Sequence, residues 1–167
     1  MVLVPQVVDI CSPEVAVLAA GGISRGRQIA AALALGAQGV WCGTIWLGTR
    51  ESELTPLEKS ILFQAKTEDP VQRKWMTGKT VRMIRSKLSE AWEKPGAPRH
   101  LLPPLRNVLY YLAKARIARA NRGDLLSIPA GQVVGTMTEE TSVRSVIGDF
   151  LNDYADAAER MKRYFPD

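Results

Sequence analysis

The pattern of apolar and glycine positions near the start of the chain predicts a βαβ unit. A continuous apolar run, VAVLAA at 15–20, is typical of a strand buried on both faces. Gly21-Gly22 ends this run, and an Ala/Leu-rich segment then predicts a helix with Ser24 as its N-cap and Gly36 just past its end. The segment GVWCGTIWL, which begins at Gly39, predicts a second buried strand that passes into a turn. Strand, helix and strand in this order imply parallel strands joined by a right-handed crossover.

The rest of the chain has mainly helical periodicity. Helices are predicted over 2–11, 57–67, 86–92, 108–121 and from about Ser142, with an extended stretch within TGKTVRMIRS at 77–86 and no regular structure in the proline-rich 94–105. The last helix is amphipathic, and its predicted apolar face consists of Val143, Val146, Ile147, Phe150, Leu151, Tyr154, Ala158 and Met161.

Composition places the chain among globular proteins. Its 167 residues are 46% hydrophobic and 23% charged, which predicts about one domain with a real core and argues against disorder. Cys11 and Cys42 lie far apart and belong to no Cys/His cluster, so neither a disulfide framework nor a zinc site is expected. The N-terminus lacks a basic region and reaches Glu14 early, so we expect no signal peptide and a cytoplasmic location.

Two charge features raise alternatives. The 22 residues between Arg27 and Arg50 carry no formal charge, which passes the crude length test for a membrane span, but Gly36, Gln38 and Gly39 interrupt them. The net charge of +5 is concentrated in 72–122, where thirteen Lys/Arg residues accompany two acids. This stretch is either a solvated basic surface, a set of basic residues that face an acidic neighbour, or a site for phosphates on nucleic acid, on a cofactor or on a thioester carrier. No nucleic-acid-binding signature accompanies it, so we expect neither a nucleic-acid nor a membrane partner.

The two glycine clusters favour a phosphate site, although not a dinucleotide fold. Gly21, Gly22 and Gly26 have the spacing GGxxxG rather than GxGxxG, no acid ends the next strand, and no GK[ST] follows. In a (β/α)8 barrel, however, the loops after the last two strands form a phosphate pocket from a glycine-ended strand, a helix N-terminus and a second strand end. At the end of the second strand, the hydroxyl of Thr44 could donate a hydrogen bond to the phosphate. Tight turns in any parallel sheet also use such glycines, and both interpretations stay open from the pattern alone.

The segment VLAAGGISRGRQIAAALALGAQGVWCGT at 17–44 resembles the last two βα units of the nitronate monooxygenase family, also known as 2-nitropropane dioxygenases. TGKTVRMIRSKLSEAWE, GAPRHLLPPL, AGQVVGTM and an amphipathic helix then follow in the order of that family's C-terminal region. The resemblance implies an FMN enzyme on a (β/α)8 barrel with a smaller helical domain, which oxidises alkyl nitronates with O₂ through the flavin. Related enzymes with similar phosphate loops reduce enoyl or CoA thioesters.

Site residues follow only from this resemblance. It implies that the FMN phosphate is held at Gly21, Gly22, Trp41, Cys42, Gly43 and Thr44. The family's Gly-His motif, which supplies the catalytic histidine, has no counterpart in this sequence. The single histidine, His100, stands outside any Gly-His context and is expected to be a solvated loop residue. No catalytic residue and no metal ligand are therefore assigned.

A whole barrel needs eight strands and about 250 residues, and this sequence predicts two of the strands. The expected fold is α/β: the last two βα units of the barrel over 1–50, a mostly helical basic region over 51–137, and an amphipathic helix over 138–167. We expect either a truncated portion of a longer protein or a chain whose barrel another chain completes. Four functions stay open: an FMN oxidoreductase of the nitronate monooxygenase type, a thioester reductase of the same fold, a non-enzymatic remnant or barrel-completing module, and nucleic-acid binding, which the missing signature disfavours.

Overall fold

The structure is a computed structural model that describes residues 1–99 and 101–164. Its contacts divide the chain into two compact units, Ser52–Glu139 and a first unit that joins Met1–Glu51 to the chain from Glu140 onward. The helices are α1 (Leu3–Ile10), α2 (Gly26–Ala34), α3 (Pro56–Gln64), α4 (Lys87–Ala91), α5 (Leu105–Arg119) and α6 (Val143–Lys162). The strands are β1 (Leu18–Ala20), β2 (Gly39–Trp41), β3 (Pro70–Arg73) and β4 (Val81–Ile84).

The predicted βαβ unit is confirmed in the first unit. β1 and β2 pair in parallel, with Leu18 opposite Gly39 and Ala20 opposite Trp41, and α2 connects them. Gly36 follows the helix with φ +93°, a left-handed conformation that favours glycine after a helix end. This unit confirms the expected α/β fold class.

The strands are shorter and less buried than the sequence predicts. β1 starts at Leu18 rather than at 15, and only its central residue, Ala19, is buried. The side chain of Leu18 is 47% exposed. Burial on both faces was therefore a wrong expectation for this chain, because only the face that carries Ala19 packs on Ala32 of α2, while Leu18 and Ala20 on the other face are exposed.

The terminal helix begins where the sequence predicts, and it packs through part of the predicted apolar face: Val146 is buried, and Val143, Phe150 and Ala158 are half-buried. Ser142 is its N-cap, and the Ser142 hydroxyl accepts a hydrogen bond from the N–H of Ser145. Within α6 the buried residues are Val146 and Ala157, whereas several residues of the predicted apolar face are exposed: Ile147, Leu151 and Met161. The cause is a close approach of α6 to α2, which brings the backbone near Phe150 against that helix.

Capping residues set the helix starts of the second unit. Thr55 accepts a hydrogen bond from the N–H of Glu58, and Pro56 occupies the first turn of α3. Ser86 caps α4 in the same way by accepting from the N–H of Ser89. The proline-rich segment is followed by α5, which starts at Leu105, three residues earlier than predicted.

An antiparallel hairpin forms the sheet of the second unit. The sequence predicts its second strand within 77–86 but not its partner β3, which pairs Pro70 with Ile84 and Arg73 with Val81. The second unit therefore contains a two-stranded sheet besides its helices. Next to the hairpin, the guanidinium of buried Arg106 lies 3.9 Å from the centroid of the Trp92 ring.

Over the described ranges, with His100 and 165–167 left aside, no helix has the length and apolarity to cross a bilayer. The uncharged stretch between Arg27 and Arg50 is divided among α2, β2 and a 3-10 helix at Thr44–Gly48.

Candidate functional site

The predicted glycine clusters lie at one edge of the parallel sheet. Because Ala20 is opposite Trp41 and the strands are parallel, Gly21 and Cys42 leave the sheet from neighbouring positions at the same end. The structure thus brings together the two parts of the chain that the sequence analysis assigned to one site. We call this edge, formed by Gly21-Gly22 and by 41–44, the carboxyl edge.

Glycine is required by conformation at the first cluster. Gly21 has φ +96° and Gly22 has φ +73°, so both have a left-handed backbone conformation. A Cβ added to either residue would meet no atom within 4 Å, so the space in front of this backbone is open. An exposed backbone without side chains, at the end of a strand, allows N–H groups to approach an anion closely.

The second cluster turns from β2 into the 3-10 helix. The carbonyl of Cys42 accepts a hydrogen bond from Nε1 of Trp46 at 2.8 Å, and the carbonyl of Gly43 accepts from the N–H of Trp46 at 3.1 Å. Gly43 has an ordinary φ of −118°, and a Cβ there would also meet no atom within 4 Å. The turn itself therefore does not need a glycine at this position. The backbone of Gly43 nevertheless faces open space, as the backbone of Gly21 and Gly22 does.

Trp41 and Cys42 contribute different surfaces. The Trp41 side chain is 69% exposed. Cys42 is half-buried, and this burial raises the pKa of its thiol, so the thiolate form of a reactive cysteine is disfavoured. An open, mainly apolar cleft of about 410 Å³ adjoins these residues. It is lined by Val40, Trp41, Cys42, Trp46, Ile147 and Phe150.

Gln28 organises the loop between β1 and α2, and the sequence analysis missed it. Its Oε1 accepts hydrogen bonds from the N–H groups of Ser24 at 2.8 Å and Arg25 at 3.0 Å, and its Nε2 donates to the carbonyl of Gly22 at 2.7 Å. The N-cap is Arg25 rather than the predicted Ser24. A glutamine at the third helical position is a capping signal, which would have pointed to Gln28 once the start at Gly26 was known.

The remaining candidates lie elsewhere or are engaged. His100 lies outside the described residues. Several cations of the basic stretch have acidic partners within the second unit: Arg73 with Glu93 at 3.2 Å, Lys114 with Glu58 at 2.7 Å, and Arg122 with Asp124 at 2.8 Å. Among residues 1–99 and 101–164 no group of three metal-ligating side chains is found.

The sequence model of the family described as nitronate monooxygenase matches residues 1–153. The chain belongs to the nitronate monooxygenase family. This match includes β1, α2, β2 and thus the whole carboxyl edge.

Relatives of this family member are found among both sequences and solved structures. A Mycobacterium tuberculosis protein whose name describes it provisionally as a monooxygenase is 44% identical over 97% of this chain. The crystal structure of nitroalkane oxidase from Streptomyces ansochromogenes matches 95% of the chain with a TM-score of 0.82 and 28% identity. FabK from Thermotoga maritima matches 98% of the chain with a TM-score of 0.73 and 28% identity.

This member of the nitronate monooxygenase family spans about half the length of the relatives it matches or less. The matched region is 44% of the Mycobacterium protein, 44% of the nitroalkane oxidase chain and 51% of the FabK chain.

Proposed function

We propose that the chain contributes the phosphate-binding end of an FMN-dependent oxidoreductase that oxidises alkyl nitronates with O₂. The observation that carries this proposal is the carboxyl edge, where Gly21 and Gly22 are left-handed and face open space beside Gly43. Family membership and the similarity to a nitroalkane oxidase support the reaction class.

The residues at this edge fit the phosphate group of FMN. The backbone N–H groups of Gly21 and Gly22 would donate to phosphate oxygens from one side, and the backbone of Cys42, Gly43 and Thr44 from the other. The exposed ring of Trp41 and the apolar cleft beside it would cover part of the cofactor. Bound FMN supplies the electron transfer between substrate and O₂, and the residues of this chain bind and orient it.

In this proposal the parallel sheet is the last part of a (β/α)8 barrel. The short sheet with exposed Leu18 and Trp41 side chains supports it, because strands of a closed barrel are covered on both faces. The other βα units, and with them the catalytic base, would come from the rest of a longer protein or from another chain. The protein would act on a small-molecule substrate in the cytoplasm.

Binding of FMN and of riboflavin, which lacks the phosphate, tests the proposal by equilibrium dialysis. FMN is expected to bind at least about tenfold more tightly, since each hydrogen bond to a charged group contributes about 1.5–3 kcal/mol. Equal binding of both ligands would contradict the phosphate site, and binding of neither would mean that the site forms only with the remaining βα units of the barrel.

A pair of glycine variants separates the site from general strain. In Gly21→Ala the new Cβ is strained by the left-handed backbone and occupies the open space, so FMN affinity is expected to fall about tenfold. Gly96→Ala is the matched control, because Gly96 has φ +87° and equally open surroundings in the second unit. It should leave FMN binding unchanged.

The second candidate function is the FMN-dependent reduction of an enoyl or CoA thioester by NAD(P)H. The basic stretch favours it, because the exposed Lys74, Lys79 and Arg82 cluster on the hairpin and could contact carrier phosphates. Two assays on the complete protein distinguish the two reactions. NAD(P)H oxidation in the presence of an enoyl thioester indicates the reductase, and O₂ uptake in the presence of a nitronate indicates the nitronate-oxidising enzyme.

A further inference from the structure

The terminal helix packs unusually closely against the start of α2. Gly26, the first residue of α2, is buried, and a Cβ added there would overlap the carbonyl oxygen of Phe150 and the backbone nitrogen of Tyr154. The backbone of α6 therefore lies directly on the first turn of the helix that follows the carboxyl edge.

Asp153 bonds to that first turn at the same place. Its Oδ2 accepts a hydrogen bond from the backbone N–H of Arg27 at 2.9 Å, and the Nε of Arg27 donates to both carboxylate oxygens at 2.8 and 3.1 Å. Hydrogen bonds and charge attraction from Arg27 lower the pKa of the Asp153 carboxyl to about 2, so the carboxylate is ionised at neutral pH. One side chain thus fixes both the backbone and the side chain of a residue 126 positions away.

Gln28 continues this connection to the carboxyl edge. It follows Arg27 in the first turn and holds the loop at three points, the N–H groups of Ser24 and Arg25 and the carbonyl of Gly22. The backbone amides of Ser24, Arg25 and Arg27 are therefore occupied by side chains of this chain. Gly21 and Gly22, which precede these amides, remain the residues that we propose for anion binding at this side.

We propose that Asp153 is a positioning residue for the carboxyl edge: it fixes the first turn of α2, and Gln28 in that turn fixes the backbone of Gly22. The terminal helix thereby controls the geometry of the phosphate site from the far end of the sequence. The effect on FMN rests on the proposed function, whereas the effect on the loop does not.

Positioning and simple electrostatics predict opposite results for Asp153→Ala. Removal of a negative charge near the site would strengthen binding of a phosphate if charge alone mattered. Loss of the hydrogen bonds to Arg27 instead loosens the loop and weakens binding. Asp149→Ala is the matched control, because Asp149 is an exposed carboxylate on the same helix.

Hydrogen exchange of the 167-residue chain without cofactor tests the loop. In Asp153→Ala the amides of Ser24 and Arg25 are expected to exchange at least about tenfold faster, although neither contacts Asp153 directly, because the opening of the loop becomes less costly. Asp149→Ala should leave both unchanged. If only the amide of Arg27 speeds up, the proposed connection through Gln28 is wrong.

FMN and riboflavin titrations test the site. Asp153→Ala is expected to lower FMN affinity about tenfold, with Asp153→Asn closer to the wild type because the amide oxygen can still accept from the N–H of Arg27. Unchanged or tighter FMN binding in Asp153→Ala would overturn the positioning role. If the wild-type chain binds FMN and riboflavin equally, the proposed function fails, and the exchange result still decides whether Asp153 positions the loop.

Gln28→Met keeps the test decisive if Asp153→Ala fails to fold. Methionine has a similar length but cannot form the three hydrogen bonds of Gln28, and the contacts between α2 and α6 stay in place. We expect faster exchange at Ser24 and Arg25 and weaker FMN binding, with the thermal midpoint lowered by only a few degrees, because the net contribution of each lost hydrogen bond to stability is small. Wild-type exchange at both amides would refute the second step of the connection.

Discussion

Replacement of Gly26 by alanine is expected to destabilise the chain, even though alanine is the better helix residue. The new methyl group would lie 3.0 Å from the backbone carbon of Asp153 and still closer to the carbonyl oxygen of Phe150 and the nitrogen of Tyr154. Ordinary contacts between carbon atoms lie at about 3.5–4.0 Å. Because the overlapped atoms are backbone, no side-chain rotation can relieve the clash, and the two helices must separate.

Two opposing terms set the magnitude. Alanine gains up to about 1 kcal/mol over glycine in a helix interior, and less at the first helical position. Overpacking costs typically about 1–3 kcal/mol and occasionally more, and here it would also lengthen the hydrogen bonds between Asp153 and Arg27. We expect a net loss of about 1–3 kcal/mol in the free energy of unfolding.

Urea unfolding followed by far-UV circular dichroism measures this loss, with hydrogen exchange of α2 and α6 to locate it. Gly148→Ala is the matched control, since Gly148 lies within α6 and a Cβ there would meet no atom within 4 Å. It should raise stability by up to about 1 kcal/mol. If Gly26→Ala is as stable as the wild type, the close approach of α2 and α6 is not a constraint on this fold.

Two predictions concern the second unit. Burial opposes ionisation of Glu58, but hydrogen bonds from Lys114 and Thr55 outweigh it and lower its pKa. Glu58→Gln is therefore expected to cost about 1–2 kcal/mol at neutral pH, and urea titrations should show this difference shrinking as pH falls below 4.5, the ordinary pKa of the group, and disappearing once pH has passed through the lowered native pKa. Burial raises the pKa of Tyr110 to about 12, with the charge of Glu58 adding to the shift. Since the native state holds this proton more tightly, stability should decline as pH rises from about 10 towards that value. Ultraviolet titration of Tyr110→Phe should lack the late tyrosine step, and a wild type whose tyrosines all titrate near pH 10 would refute the burial argument.

The local features of the fold could be predicted because they depend on neighbouring residues. The N-cap predicted at Ser24 is instead Arg25. The helix end at Gly36 and the helix starts near Ser86 and Ser142 were predicted from the sequence and are confirmed. Each depends on a side chain and an amide a few positions apart, so the order of residues is sufficient to define it.

The pairing of strands and helices that lie far apart in the chain could not be predicted from the sequence. Strand β3 carries no clear alternation and is defined by its partner, with Pro70 opposite Ile84. The apolar pattern of α6 predicted the helix and part of its packing face, but not the close approach of its backbone to Gly26 of α2.

The sequence by itself determined the carboxyl edge: two glycine clusters at the ends of consecutive parallel strands, together with the family resemblance they carry. Parallel strands joined by one helix must end at the same side, so this placement follows from order alone. Only the tertiary structure showed what holds that edge in place. Asp153 reaches Arg27 across 126 positions, and no local pattern indicates a contact that exists only once two helices have packed.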